Sequence, residues 1–343
     1  MIIIQLNGGL GNQFYQYALA RKLALKNKTI LKIDLVKYGS YTPKSLIFNN
    51  QYVPSKPTLF HRIKVAIPSN FVTKILNKGV NLKKKYYSLI DIGYYREDIK
   101  RFYTLHNFNI KGQVLSLLDF LFYRINNKIV AKLPLFNKNL PYNLVTYPKE
   151  DFNPNLLTSG KNTYLIGFFQ SFKYFKDIRG TLLKDFKAVT PTNKYNENMI
   201  QKIKSLNVVS MHVRRGDYVA QDHVNKTHGT CSPQYYINCI DYIKQNVNNP
   251  YFLVFSDDIE WAKANMKTGC PTDFSENLPE QDYEDIRLMY NCKHFIIANS
   301  TFSWWGAWLS ENPDKIVCAP NKWFNDKVYN IDDIIPAEWI KFD

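Results

Sequence analysis

The second half of the chain alternates between two hydrophobic periods. Runs of consecutive apolar residues at 207–213 (NVVSMHV), 250–255 (PYFLVF), 294–298 (HFIIA) and 315–320 (KIVCAP) each stop abruptly, as strands buried on both faces do. Between them apolar positions recur at helical spacing from Ser232, with Pro233 in a first-turn position, and from Ile259, Gln281 and Ser300. That alternation predicts a parallel sheet with helices on both faces, whose ligand crevice lies beyond the carboxyl ends of the strands. There the sequence sets His212, Arg214 and Arg215, then Ser256, Asp257 and Asp258, then Asn299, Ser300 and Thr301. The start of the chain carries one more such unit: a short strand at 1–6, a tight glycine-containing loop at 7–12 and a helix at 13–26, with Phe14, Tyr17, Ala18 and Leu23 near one helical period. The loop fits neither the dinucleotide fingerprint nor the P-loop, because Phe14 stands where a third glycine belongs and no Gly-Lys-Ser/Thr follows. Alone, it reads equally as a strand-to-helix turn or as a place where a ligand approaches the backbone.

Arginine suits a phosphate because its planar fork gives paired hydrogen bonds. Two adjacent arginines are commonly a solvated surface pair. Here they share a crevice with carboxylates, hydroxyls and a helix start near Ser300 that offers free N–H groups, so a nucleotide is the first ligand to consider.

The chain has 343 residues, 45% apolar and 15% aromatic, enough to fill two cores. Its five cysteines (231, 239, 270, 292 and 318) are odd in number and have no paired spacing, which points to reduced thiols in a cytoplasm. No apolar run approaches the ~20 residues of a membrane span; VLSLLDFLF at 114–122 is far shorter. Nearly all of the formal +16 charge lies in residues 1–150, with 24 Lys and Arg against 6 Asp and Glu, while the remainder has 21 against 23. An anionic surface such as the inner membrane leaflet is one partner this asymmetry fits, and generic solubilising charge is the other explanation. A nucleic-acid-binding protein would also be basic and aromatic, but the paired arginines sit at a strand end and no nucleic-acid module is recognisable.

The segments GGLGNQFYQYA, HVRRGDY, FSDD and NSTFSWWGAWL, with YLIGFFQSFKYF at 164–175, resemble the α-1,2-fucosyltransferases of glycosyltransferase family 11. They occur in the right order across nearly the whole chain, and HVRRGDY with NSTFSWWG is the specific pair; residues 45–145 match no such segment. The resemblance implies an α/β fold of two Rossmann-like domains of the GT-B type. Residues 1–190 would form the acceptor side, 191–320 the GDP-fucose side, and 321–343 a tail whose packing the sequence does not define. It implies an inverting, metal-independent galactoside α-1,2-fucosyltransferase that moves L-fucose from GDP-β-L-fucose to the 2-hydroxyl of a terminal galactose. An O-antigen or other surface glycan would be the acceptor. No cofactor is needed beyond the donor.

Carried over residue by residue, Arg214 contacts the β-phosphate with Arg215 beside it. His212 is the motif histidine, Asp257 recognises the base, Ser300, Thr301 and Phe302 line the phosphates and base, and Gly9, Gly11 and Asn12 belong to the loop near the reacting sugar carbon. The chemistry suits these types: the departing diphosphate gathers negative charge that fixed cations stabilise, and the sequence has no Asp-x-Asp to hold a metal there. One carboxylate can accept from both donors on the guanine edge. For the base that takes the acceptor's proton, Asp222 is favoured and Asp217, His223 and His228 stay open. Asp217 also fits ordinary turn chemistry after Gly216. His223, His228 and Cys231 lack the spacing of a zinc site. Trp304, Trp305 and Trp308 fit a core better than a sugar platform. A fucosyltransferase of another linkage and an inactive sugar-nucleotide binder remain alternatives.

Overall fold

The computed structural model of the chain describes residues 1–34, 113–114, 143–147, 151–216, 219, 222–278, 281–325 and 329–343. Most of the basic excess, the apolar run at 114–122 beyond Val114 and nearly all of the unmatched region 45–145 lie outside these residues.

Strand β1 (Ile2–Gln5) is buried along its whole length and leads into helix α1 (Leu10–Lys26). Strands β2 (Leu31–Asp34), β3 (Gln113–Val114), β4 (Asn143–Tyr147) and β5 (Thr163–Gly167) complete a parallel sheet in the order β3-β2-β1-β5-β4. Helices α2 (Arg179–Asp185) and α3 (Lys194–Ser205) lead to a second sheet. There β6 (Asn207–Val213) is followed by α4 (Asp222–His228), α5 (Pro233–Asn246), β7 (Pro250–Ser256), α6 (Ile259–Asn265), β8 (Thr272–Phe274), α7 (Asp282–Asn291), β9 (His294–Ile296), α8 (Thr301–Leu309), β10 (Val317–Pro320) and β11 (Ile340–Phe342). All neighbours in this sheet run parallel, in the order β11-β10-β9-β6-β7-β8. The second parallel sheet is what the strand–helix alternation predicts, and a pair of α/β sheets is what the resemblance implies. The strands with near-continuous apolar runs, β6 and β7, lie inside the second sheet, where both faces are covered.

The helix starts follow their local chemistry. Ser232 caps α5 by accepting from Tyr235 N–H at 3.0 Å, with Pro233 in the first turn, and Asp258 caps α6. Helix α1 begins at Leu10, earlier than residue 13, because the end of the glycine loop already winds into the first turn.

Helix α1 has no solvent face along most of its length: Phe14, Tyr15, Tyr17, Ala18, Leu19 and Ala20 are all buried. One side lies on the first sheet. Its other side meets α8, where Phe14 and Tyr15 contact Trp305 at ring separations of 5.6 and 5.1 Å. Phe175 stacks on the same indole at 5.3 Å. Trp304 and Trp305 have no exposed surface and Trp308 almost none, so the tryptophans are core. The tail closes on them: Trp304 Nε1 donates to Ile334 O at 2.8 Å, Ile335 and Trp339 are buried, and β11 pairs with β10. A single hydrophobic cluster therefore runs from Ile2 through α1 and α8 to Trp339. No described helix is long and apolar enough to cross a membrane.

Candidate active site

The carboxyl ends of β1, β6, β7, β8 and β9, with the segment after β5, open into one cavity of about 1340 Å³. Its wall includes Gly9, Gly11, Asn12, His212, Arg214, Asp257, Ser300, Thr301 and Phe302, together with His228, Ser256 and Asn299, all of them singled out by sequence.

Arg214 and Asp257, at the ends of adjacent strands, form an ion pair at 2.8 Å. The other Asp257 oxygen accepts from Arg215 N–H at 2.8 Å. Gly216 lets the backbone come close beside them: a Cβ there would run into Asp257 Oδ2 and push the carboxylate from its place. Arg215 takes a different course. Its guanidinium lies 3.7 Å over the Trp261 ring and its Nε bonds Asp258 at 3.3 Å, off the cavity wall. The two arginines, equivalent in sequence, thus divide: Arg214 faces the ligand space and Arg215 fastens β6 to α6.

His212 sits next to last on β6 with its side chain buried against Phe302, ring centroids 5.7 Å apart. Burial drives its pKa down to about 4, with Asp257 opposing and Arg214 adding to the shift, so the imidazole is neutral at pH 7. Asn299 is a latch: its Nδ2 donates to the carbonyls of His228, Gly229 and Trp323 at 3.0, 3.1 and 3.3 Å.

The glycine loop touches α8 directly. A Cβ on Gly11 would fall 2.5 Å from the Thr301 carbonyl carbon and 2.6 Å from Phe302 N. Beside it Asn12 Oδ1 accepts from Thr301 Oγ1 at 3.1 Å and from Gln170 Nε2 at 2.9 Å, which ties the two sheets at the cavity wall. Ser300 caps α8.

Of the base candidates, Asp222 and His223 lie on α4 with side chains outside the described residues, as is all of Asp217. His228 lines the cavity and packs on Phe324 at 5.4 Å.

Two further wall residues were not singled out one by one: Gln170 lies within the matching segment 164–175, and Asp285 had no sequence signal. Asp285 falls inside an amphipathic helical pattern that places it on an ordinary polar face, and β8, whose following loop covers it, is too short and polar to announce a strand. Its Oδ1 accepts from Ser275 Oγ at 2.6 Å and Asn277 Nδ2 at 2.9 Å, while Oδ2 takes no hydrogen bond from the described residues. Burial raises its pKa to about 6 against those two hydrogen bonds.

His212 and Asp285 act oppositely on stability. A histidine with a depressed folded pKa stabilises above about 6.5 and loses that contribution as pH falls towards 4; a carboxyl with a raised folded pKa costs stability above about 6 and recovers it on acidification. Asp285→Asn should therefore lose on the order of 3 kcal/mol more than wild type between pH 6.5 and 4. His212→Gln should shift the other way. Urea denaturation across that range reads both slopes, and identical slopes in all three proteins would refute the assignment.

A family model described as Glycosyl transferase family 11 matches residues 1–343. The alpha-1,2-colitosyltransferase of Escherichia coli is 30% identical over 352 residues, covering 100% of this chain and 99% of its own length. The O-antigen biosynthesis glycosyltransferase WbnK of Escherichia coli is 30% identical over 344 residues, 93% of each chain. The galactoside alpha-(1,2)-fucosyltransferase 1 of Homo sapiens is 26% identical over 156 residues, 43% of this chain and 42% of its own.

Proposed function

The chain belongs to glycosyl transferase family 11, and from that premise we propose that it moves L-fucose from GDP-β-L-fucose to the 2-hydroxyl of a terminal galactose on a surface glycan, with inversion and without a metal ion. The observation that carries this reading is Arg214, a guanidinium on the wall of a strand-end cavity, aimed by Asp257 and lying with Asn12 and the first turn of α8 on the same wall. The α-1,2 linkage is named for two of the relatives, and an O-antigen glycan for the third.

When the bond between the fucose anomeric carbon and the β-phosphate oxygen breaks, charge grows on the phosphate. Arg214 and the N–H groups opening α8 meet that charge, and they gain most in the transition state. Asp257, with its oxygens on Arg214 and on Arg215 N–H, serves in this reading to hold the fork in place. Guanine selection falls to Asp285, whose Oδ2 takes no hydrogen bond from the described residues and which lines the cavity. Asp222 receives the galactose hydroxyl proton.

The full-length relative named for colitosyl transfer favours one second reading, a GDP-activated sugar lacking one of the fucose hydroxyls. Incubation with GDP-fucose or GDP-colitose and galactose-terminated oligosaccharides, with product linkage determined by NMR, separates them. Faster turnover of the deoxy donor would replace fucose with colitose, and a product linked elsewhere than O2 would end the α-1,2 assignment.

Transfer should persist in excess EDTA after dialysis, because an arginine clamp and a metal are alternative ways to neutralise a leaving diphosphate. Complete loss of turnover, restored by Mn²⁺, would instead make Asp257 and Asp258 metal ligands.

A further inference from the structure

Two side-chain amides, from the loop after β8 and from α3, lead to Asp285 on α7. Asn277, on the loop after β8, and Asn196, fully buried on α3, bond each other reciprocally: Asn196 Nδ2 donates to Asn277 Oδ1 at 3.0 Å and Asn277 Nδ2 to Asn196 Oδ1 at 3.1 Å. The second Asn277 Nδ2 hydrogen goes to Asp285 Oδ1 at 2.9 Å, so the amide has no donor to spare. Asn196 Nδ2 also reaches Glu284 Oε2 at 3.3 Å, and Glu284 pairs with the buried Arg287 at 3.4 Å. Arg287 Nη2 in turn donates to Thr190 O and Oγ1 at 2.6 and 2.8 Å. The connection between the two sheets is thereby clamped to the loop that roofs one end of the cavity.

We propose that the Asn196–Asn277 amide pair positions Asp285 for nucleobase recognition, fixing Oδ1 so that Oδ2 is held towards the ligand. The proposal rests on the guanine reading given above. Asn277 fits the task because an amide can donate to a carboxylate and to a second amide at once, whereas Asp would lose both donors and Ala would leave Oδ1 to Ser275 alone. A carboxylate free to rotate would accept unequally from the two adjacent donors on the guanine edge. Neither asparagine lies at the reacting carbon in this reading, so bond breaking should be indifferent to them once the donor is bound.

The test is calorimetric titration of the whole protein with GDP and with IDP, which lacks the exocyclic amine, together with donor KM and kcat. Wild type should prefer GDP by about tenfold or more. Asn277→Asp, nearly isosteric, and Asn277→Ala should both erase most of that preference and raise donor KM about tenfold to hundredfold, with kcat at saturating donor within about threefold of wild type. Asn196→Ala should move both quantities the same way. A folded Asn277 variant that keeps the wild-type GDP preference, while Asp285→Asn loses it, overturns the positioning role and leaves the guanine reading standing. A wild type that binds GDP and IDP alike, or an Asp285→Asn that keeps the preference, overturns that reading and this proposal together. A fall in kcat with donor KM unchanged would equally refute it.

Discussion

Arg214→Ala should lower kcat for transfer by about two to three orders of magnitude, the usual consequence of deleting one preorganised donor to developing charge. The fold should survive, because the Arg214–Asp257 pair is partly solvent-exposed and pairs of that kind contribute on the order of 1 kcal/mol or less. Arg214→Lys should recover little: a point charge on a flexible stem cannot present two parallel N–H groups to a phosphate while also pairing with Asp257. Single-turnover kinetics on a circular-dichroism-verified variant decides the matter. A variant that keeps most of its rate with normal donor affinity places the phosphate elsewhere. Asp257→Asn is the informative partner. If Asp257 aims the arginine, the amide variant loses rate on bound donor; if Asp257 reads guanine, GDP affinity falls and the rate on bound donor holds.

Gly11→Ala should be comparably severe for a different reason. The new methyl would lie 2.5 Å from the Thr301 carbonyl carbon and 2.6 Å from Phe302 N, and these are backbone atoms that cannot swing aside. The glycine loop and α8 must part, at a cost of about 1–3 kcal/mol or somewhat more. Separation also breaks the Asn12–Thr301 contact across the cavity, and a displacement of about 1 Å there is worth roughly a hundredfold in rate. Gly9→Ala is the control, since a Cβ at that position meets nothing within 4 Å. Thermal denaturation should separate the two glycines clearly. Equal behaviour would mean that the loop does not need its contact with α8.

The central architecture was legible because its strands are buried on both faces and its helices carry explicit starts. NVVSMHV and PYFLVF leave no polar period to misread, and Ser232-Pro233 and Ser300 mark α5 and α8 where the structure has them. Strands β8 and β11 were illegible because Thr272–Phe274 and Ile340–Phe342 are three residues each at sheet edges, with no apolar run. Sequence also could not separate Arg214 from Arg215. Their difference comes from Trp261 and Asp258, more than forty positions away and brought beside Arg215 only when β6 pairs with β7. The place of Asp285 on the cavity wall was hidden in the same way, since its partners Ser275 and Asn277 reach it through the loop after β8.

Helix α1 carries a consequence for how the molecule is made. Wrapped by the first sheet on one side and by α8 on the other, it exposes Phe14, Tyr15, Tyr17, Leu19 and Leu23 to water while it waits for those partners. Its neighbour β1 pairs with β5 at Thr163, and Gly11 meets Thr301, so its second partner is translated some 290 residues after it. At ribosomal speed that interval is roughly 15 to 60 s. Throughout it the apolar side chains of α1 that pack on α8 stay uncovered, even though β1 can already pair with β2 and then β5, a configuration that invites aggregation and slow, topology-limited folding. Yield in cells should therefore depend on holdase chaperones and on growth temperature more than on the final stability of the native state.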